Sequence, residues 1–352
     1  MTRMPGDPPG RLADWPDLIT VHGFPRWKWR YVRSCLPGHR LKFVGMDAKA
    51  PHTGGLLLWG MTPVPADVPA DLPIARMEDG FLRSVGLGAE LIRPLSWVID
   101  RRGLYYDSSR PSDLEILLEA GDIPDALRER AAMLRAAVLR AGLTKYNLDG
   151  VPWRRPATSR PVILVPGQVE SDASLAFGAP GLRSNIGLLQ TIRAARPDAY
   201  LVYKPHPDVV ARLRRAGVEE TRAAEIADEV ITDVSMHSVL EAVDEVHVMT
   251  SLAGFEALLR GLKVVCYGQP FYAGWGLTED ILPIPRRRRR LSLDDLVAGA
   301  LITYPLYIGE ATPIEPEDAL AELISWKMRK TVTPRPFREL YRIMLRLIIG
   351  VR

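Results

Sequence analysis

Only two cysteines, Cys35 and Cys266, occur in 352 residues, and they lie far apart. That scarcity excludes a disulfide framework and any Cys-based zinc module, and it predicts a protein of a reducing cytoplasm. No window approaches the roughly 18 uninterrupted apolar residues of a membrane-spanning helix. Residues Met1–Pro16 carry no apolar stretch, so they do not read as a secretory signal. Aromatic residues make up 7% of the chain and form no stripe among basic residues. The formal net charge of +4, from 46 Lys and Arg against 42 Asp and Glu, therefore predicts no nucleic-acid partner. A GxxxxGK[ST] segment is missing, which excludes a Walker-type triphosphate site. No Asp-x-Asp is placed to hold a divalent ion, and no internal repeat is visible.

What is present is an ordinary globular composition, 47% apolar and 25% charged, over a length that favours two domains. Short apolar runs alternate with helical spacing. In the first half Leu41–Met46, Gly55–Trp59 and Leu95–Asp100 read as strands, and Asp113–Ala120 and Asp125–Ala141 as helices. The second half reads strand Pro161–Pro166, helix Ser184–Ala195, strand Ala199–Lys204, helix Ser238–Val243, strand Glu245–Met249, helix Ala253–Arg260 and strand Lys263–Tyr267. The pattern predicts an α/β fold of two Rossmann-like domains facing across a cleft, with mainly parallel sheets. The expected boundaries are an N-terminal domain over 1–150, a C-terminal domain over 157–310 and a helical, basic segment over 311–352. A Pro-rich stretch, Val151–Pro156, is expected to link the two domains.

In an open α/β sheet ligands gather at the carboxyl ends of the strands. Three polar junctions there are candidates in the second half: Gly167 to Ser174, with Gln168, Glu170 and Asp172; Lys204-Pro205-His206-Pro207-Asp208; and Thr250 to Glu256. Thr250 and Ser251 precede a helix whose free N–H groups suit a phosphate, or they simply cap it. Gly254 would let a ligand approach the backbone, and Glu256 could accept from ribose hydroxyls. Two prolines stiffen His206, a candidate donor to a phosphate or departing oxygen. In the first half Glu78, Asp79, Arg83 and Ser84 form an acidic and basic cluster suited to a polyhydroxyl, carboxylate-bearing ligand. The Arg286–Arg290 run reads as a solvated loop or a phosphate-attracting patch. Phe337–Ile349 carries Arg338, Arg342 and Arg346 at helical spacing, which fits either a membrane surface or docking on the protein.

Several stretches in order resemble the bacterial capsule polysaccharide β-Kdo transferases. They are Glu78–Ser84, Pro94–Trp97, Gly103–Asp107, Pro111–Glu115, Thr144–Asn147, Gly167–Ser174, Tyr203–Asp208 and Pro270–Thr278. The resemblance runs from about Val44 to Tyr307 and is closest to the C-terminal module of tandem members. It implies a GT-B-like enzyme that transfers Kdo from CMP-β-Kdo to a Kdo-terminated, lipid-linked acceptor at the inner face of the membrane. It also implies retention of configuration by double displacement and no metal or other cofactor. By motif position Asp172 would be the nucleophile, and Lys204, His206 and Pro207 would contact the CMP phosphate. Gln168, Glu170, Thr250, Ser251, Gly254 and Glu256 would complete the donor site. Glu78 or Asp79 would be the general acid or base, while Arg83, Ser84, Tyr272 and Trp275 would hold the acceptor sugar. Capsule export machinery or a second Kdo transferase would be partners. The alternatives are a non-catalytic capsule assembly factor that binds glycolipid, and a transferase using another nucleotide sugar.

Overall fold

Two sheets organise the chain, one of seven strands and one of six. The computed structural model describes residues 12, 14–86, 91–148, 150–310 and 312–330. The basic segment expected to form a helix over 337–349 lies outside the described residues. In chain order the strands are β1 (Leu18–His22), β2 (Arg40–Val44), β3 (Gly55–Trp59), β4 (Ile74–Asp79), β5 (Ser96–Asp100), β6 (Val162–Pro166) and β7 (Tyr200–Lys204). They continue with β8 (Glu229–Val230), β9 (Glu245–Val248), β10 (Lys263–Cys266), β11 (Glu279–Asp280), β12 (Pro305–Ile308) and β13 (Pro313–Ile314).

The first unit comprises the chain up to Arg83, Pro94–Leu134 and Asp294–Ala321. Its sheet runs β13-β12-β5-β4-β3-β1-β2. Strands β2, β1, β3 and β4 are parallel, but β5 pairs antiparallel with both β4 and β12. This sheet is mixed, where a mainly parallel one was expected. The connection over 80–95 holds no helix among its described residues, whereas a parallel crossover usually carries one. One face buries Ile19, Val21, Leu57, Met77, Trp97 and Ile99 against Tyr31, Val32 and Cys35 of the helix Trp29–Cys35. Helix Asp113–Ala120 shows how local residues set its bounds. The Ser112 hydroxyl accepts from the Glu115 amide at 3.1 Å, and Gly121 ends it in the left-handed region at φ 66°.

The second unit comprises Ser84–Arg93, Arg135–Leu293 and the chain from Glu322. Its sheet is wholly parallel in the order β11-β10-β9-β6-β7-β8. Counted within the unit this is the doubly wound order 3-2-1-4-5-6, with its switch point between β6 and β9. All five β6 residues, Val-Ile-Leu-Val-Pro, are buried, as expected for a strand covered on both faces. The Pro-rich stretch is no linker. Val151 bridges Val234, and buried Trp153 donates from its indole to Glu229 at 3.1 Å. The expected helix Ser238–Val243 is found at Met236–Leu240, because Ser235 caps it by accepting from the Ser238 amide. The unit boundaries interleave along the chain, so residues 135–150 and 294–310 fall in the opposite unit from the one contiguous segments would give. Among the described residues no helix is long and apolar enough to cross a membrane.

Candidate active site

The switch point of the second unit is tied by a single side chain. Gln168, just past β6, accepts from the Thr250 amide at 2.9 Å and donates to the Thr250 hydroxyl oxygen at 3.0 Å. Its own backbone is held by Asn185, which accepts from the Gln168 amide and donates to its carbonyl, each at 2.9 Å. Gln168 therefore joins the β6 and β9 loops, and both ends of its amide are engaged. Thr250 and Ser251 lead into helix Leu252–Leu259, where the Ser251 hydroxyl accepts from the Ala253 amide at 3.2 Å. Gly254 has a packing role in place of the expected ligand approach. A Cβ there would stand 2.3 Å from the Tyr272 hydroxyl, which itself donates to the Ser251 carbonyl.

His206 follows β7 and caps the short helix Pro207–Val210, with Pro207 in the first position where its missing N–H costs nothing. The His206 Nδ1 accepts from the Asp208 amide at 3.1 Å. Burial, aided by the Lys145 and Arg214 cations, pulls the imidazole down to about 3. At neutral pH the ring is uncharged with its hydrogen on Nε2, a donor fixed in direction. Lys204 is buried, donates to the Thr232 carbonyl at 3.3 Å and is pulled down to about 8 by burial. Glu256 is buried on the helix, and one of its oxygens accepts from the Lys145 amide. Burial raises this carboxyl to about 7, against the smaller opposing pull of Arg260 and the Lys145 amide.

The segment Thr144–Asn147 explains that contact. Asn147, at φ 47°, accepts from the Thr144 amide at 2.9 Å and donates to the Ser84 carbonyl at 3.0 Å, folding a turn that presents Lys145 to Glu256. Lys145 is a candidate site residue that the sequence pattern left unassigned. Its only signal was membership of a resembling motif.

Glu256→Gln keeps an oxygen for the Lys145 amide while removing a buried charge. A carboxyl raised to about 7 contributes stability below its ordinary value that is lost as pH climbs through that interval. The variant is therefore expected to melt like wild type near pH 4.5 and to be more stable above pH 7, by up to about 3 kcal/mol. Equal melting differences at both pH values would contradict a charge held against burial.

Asp172 is exposed and caps helix Ala173–Gly178 by accepting from the Ala173 amide at 3.1 Å. Glu170 is committed elsewhere. One oxygen accepts from the Asn185 amide at 2.8 Å and the other from the Val218 amide at 2.9 Å, so it braces loops where donor contact was expected.

In the first unit Glu78 and Asp79 end β4, and their surroundings push them apart. Asp79 accepts from Lys28 at 2.6 Å and from Arg83 at 2.7 Å, and these cations hold it well below the usual carboxylate range. Glu78 accepts from its neighbour's amide at 2.9 Å and from the Tyr106 hydroxyl at 3.1 Å. Burial, with Asp79 adding to it, raises the Glu78 carboxyl. Of the two, Glu78 is the group that can exchange a proton near neutral pH, and Asp79 is fixed in ion pairs. Lys28 lies 3.6 Å above the Trp59 ring and is itself pulled down by burial.

The four residues expected to contact the acceptor are buried in the protein. Arg83 is buried in its pair with Asp79, and Ser84 is fully buried and donates to the Gly86 carbonyl at 3.0 Å. Tyr272 and Trp275 are likewise fully buried; the Trp275 indole donates to the Phe271 carbonyl at 2.8 Å. The arginine run is not wholly solvated either. Arg287 is buried beside Trp275 and donates to the Pro270 and Ala273 carbonyls at 2.6 and 2.7 Å.

A doubly wound parallel sheet with hydroxyl, imidazole and ammonium groups at its carboxyl edge defines the class of α/β proteins that hold a ligand at a topological switch point. The family model for capsule polysaccharide biosynthesis proteins matches residues 66–147 and 123–309, and the chain belongs to that family. It is 45% identical over 317 residues to the capsule polysaccharide modification protein LipA of Neisseria meningitidis, covering 87% of this chain and 45% of LipA. It is 41% identical to the lipopolysaccharide-processing protein LpsZ of Rhizobium meliloti, over 80% of this chain and 66% of LpsZ. The chain thus spans about half the length of LipA. Among solved structures it resembles two from Thermosulfurimonas dismutans KpsC. The β-Kdo 2,7 transferase has a TM-score of 0.73 and 38% identity over 88% of this chain and 99% of that one. The β-Kdo 2,4 transferase has a TM-score of 0.75 and 30% identity over 87% and 98%.

Proposed function

We propose that this chain is a retaining β-Kdo glycosyltransferase module of GT-B type, moving Kdo from CMP-β-Kdo to a Kdo-terminated lipid-linked acceptor in capsule assembly. The observation that carries this reading is the 38% identity to a β-Kdo 2,7 transferase across nearly all of both chains. Its excess over the 30% identity to the 2,4 enzyme favours a 2,7 linkage.

In this reading the second unit takes the donor. Thr250, Ser251 and the N–H groups opening helix Leu252–Leu259 receive the CMP phosphate, with His206 Nε2–H and Lys204 as further donors. Glu256 accepts from the ribose. The Asp172 carboxylate attacks the anomeric carbon, the bond to the phosphate oxygen breaks, and CMP leaves with the electron pair. The acceptor hydroxyl then displaces Asp172 from the glycosyl ester while Glu78 takes its proton. Two inversions restore the β configuration. The acceptor's lipid places the work at the inner membrane surface.

The test is mass spectrometry of a Kdo-terminated acceptor incubated with protein and CMP-Kdo generated in situ, with NMR of the product for linkage. Gain of one Kdo with release of CMP is expected. Glycolipid binding without donor consumption would leave an assembly factor, and turnover of another nucleotide sugar would move the donor assignment.

Donor binding is expected to need no metal ion, since protein donors suffice for one phosphate. Calorimetry should give the same CMP affinity with and without EDTA. His206→Ala and Glu256→Ala should each weaken it about ten- to a hundredfold, as a hydrogen bond to a charged group contributes roughly 1.5–3 kcal/mol. Unchanged affinity in both variants would remove the donor from this unit.

A further inference from the structure

His22 ends β1 on the same face of the sheet as Glu78. The register sets this. His22 pairs with Leu58 on β3, Leu58 pairs with Arg76 on β4, and Glu78 follows Arg76 by two residues, which returns it to the same face. Both groups lie toward the carboxyl ends of parallel strands, with β3 between them. Just past β3 comes Gly60, at φ 51°, where a Cβ would stand 3.1 Å from Glu78 Oε2 and 3.5 Å from the Tyr106 hydroxyl. The missing side chain lets the turn after β3 pack closely against the Glu78 carboxyl and the Tyr106 hydroxyl.

His22 is only 2% exposed, yet neither ring nitrogen has a hydrogen-bond partner in the protein. Buried polar side chains are nearly always satisfied, and an unmade bond costs free energy that Phe or Leu at this position would avoid. A packing role does not account for two polar atoms, and no carboxylate is bonded to the ring.

We propose that His22 binds the acceptor sugar, its ring nitrogens hydrogen-bonding hydroxyls next to the one that Glu78 deprotonates; this rests on the transferase reading above. A polyhydroxyl ligand fits the group, because each hydroxyl donates and accepts while a neutral imidazole offers one of each. His22 touches the sugar but not the reacting atoms, so its effect falls on acceptor affinity and orientation.

The test uses the full chain labelled with 15N at its six histidines. Titration with a soluble Kdo-terminated glycoside should move the His22 ring nitrogens, assigned by their loss in His22→Gln, and titration with CMP should not. In kinetics, His22→Gln and His22→Phe should raise the acceptor KM at least tenfold, with CMP release in the absence of acceptor unchanged within twofold. His22→Phe should also melt higher than wild type, because it removes the unsatisfied nitrogens. A purely structural histidine would instead lower the melting temperature and leave the acceptor KM alone. Ring nitrogens that ignore saturating glycoside, or an acceptor KM within twofold of wild type in both variants, would overturn the proposal. If neither variant folds, the wild-type titration alone decides it. If wild type consumes no CMP-Kdo, the transferase reading fails, while the sugar titration still decides for or against His22 as a sugar-binding residue.

Discussion

Asp172→Asn is expected to abolish Kdo transfer, by at least about a thousandfold, with the protein folded and CMP affinity within twofold of wild type. The choice of Asn follows from the structure. Asp172 caps helix Ala173–Gly178, so Ala would remove a cap as well as a nucleophile, at about 1 kcal/mol of stability. Asn caps as well as Asp but cannot attack the anomeric carbon. Asp172→Ala should therefore melt slightly lower than wild type, Asp172→Asn should not, and both should be inactive. Intact-protein mass spectrometry with donor and no acceptor should show a Kdo adduct on wild type and none on either variant. Retention of more than a tenth of wild-type turnover by Asp172→Asn would place the nucleophile elsewhere. Glu170 would be a poor successor, because backbone amides occupy both of its oxygens.

Glu78→Gln should reduce acceptor-dependent transfer by about a hundredfold or more, the usual contribution of a positioned general base, without preventing adduct formation. The pH dependence supplies a second readout. Burial and Asp79 raise the Glu78 carboxyl, so the charged, proton-accepting form grows in as pH rises through a value above the ordinary glutamate range. Wild-type acceptor transfer should rise along that limb, and Glu78→Gln should lack it. Tyr106 donates to Glu78 and favours the charged form, so Tyr106→Phe should move the limb to higher pH. The stability effect has the opposite sense. A raised carboxyl contributes most at low pH and loses that contribution as pH rises, so Glu78→Gln should be no less stable than wild type at pH 8. A pH limb that survives in Glu78→Gln would assign the base to another group.

Much of the second unit was legible because its signals are local. The apolar runs that became β6, β7, β9 and β10 are short, continuous and bounded by turn residues, and the polar residues after them fall at strand ends by connectivity alone. In the first unit helix Asp113–Ala120 was equally legible, since it carries its own cap, acidic first turn and terminating glycine, and its expected bounds are the observed ones. The strands of that unit were harder. Strand β4 reads Ile-Ala-Arg-Met-Glu-Asp, and the charges that make it a site also hide it as a strand. Strands β12 and β13 complete a sheet begun nearly 300 residues earlier, which no local pattern announces.

The sequence by itself determined the α/β class, the polar junctions at the strand ends and the resemblance that points to Kdo transfer, since these depend on periodicity, connectivity and motif order. Only the tertiary structure decided which polar residues remain available for chemistry. Tyr272, Trp275, Arg83 and Ser84 are each buried and hydrogen-bonded within the protein, which no pattern of letters displays. Glu78 and Asp79 are adjacent carboxylates on one strand, yet one has Lys28 and Arg83 beside it and the other has Tyr106 and burial. A side chain's proton affinity and availability depend on partners far away in sequence and on the loss of water around it, so packing assigned their roles.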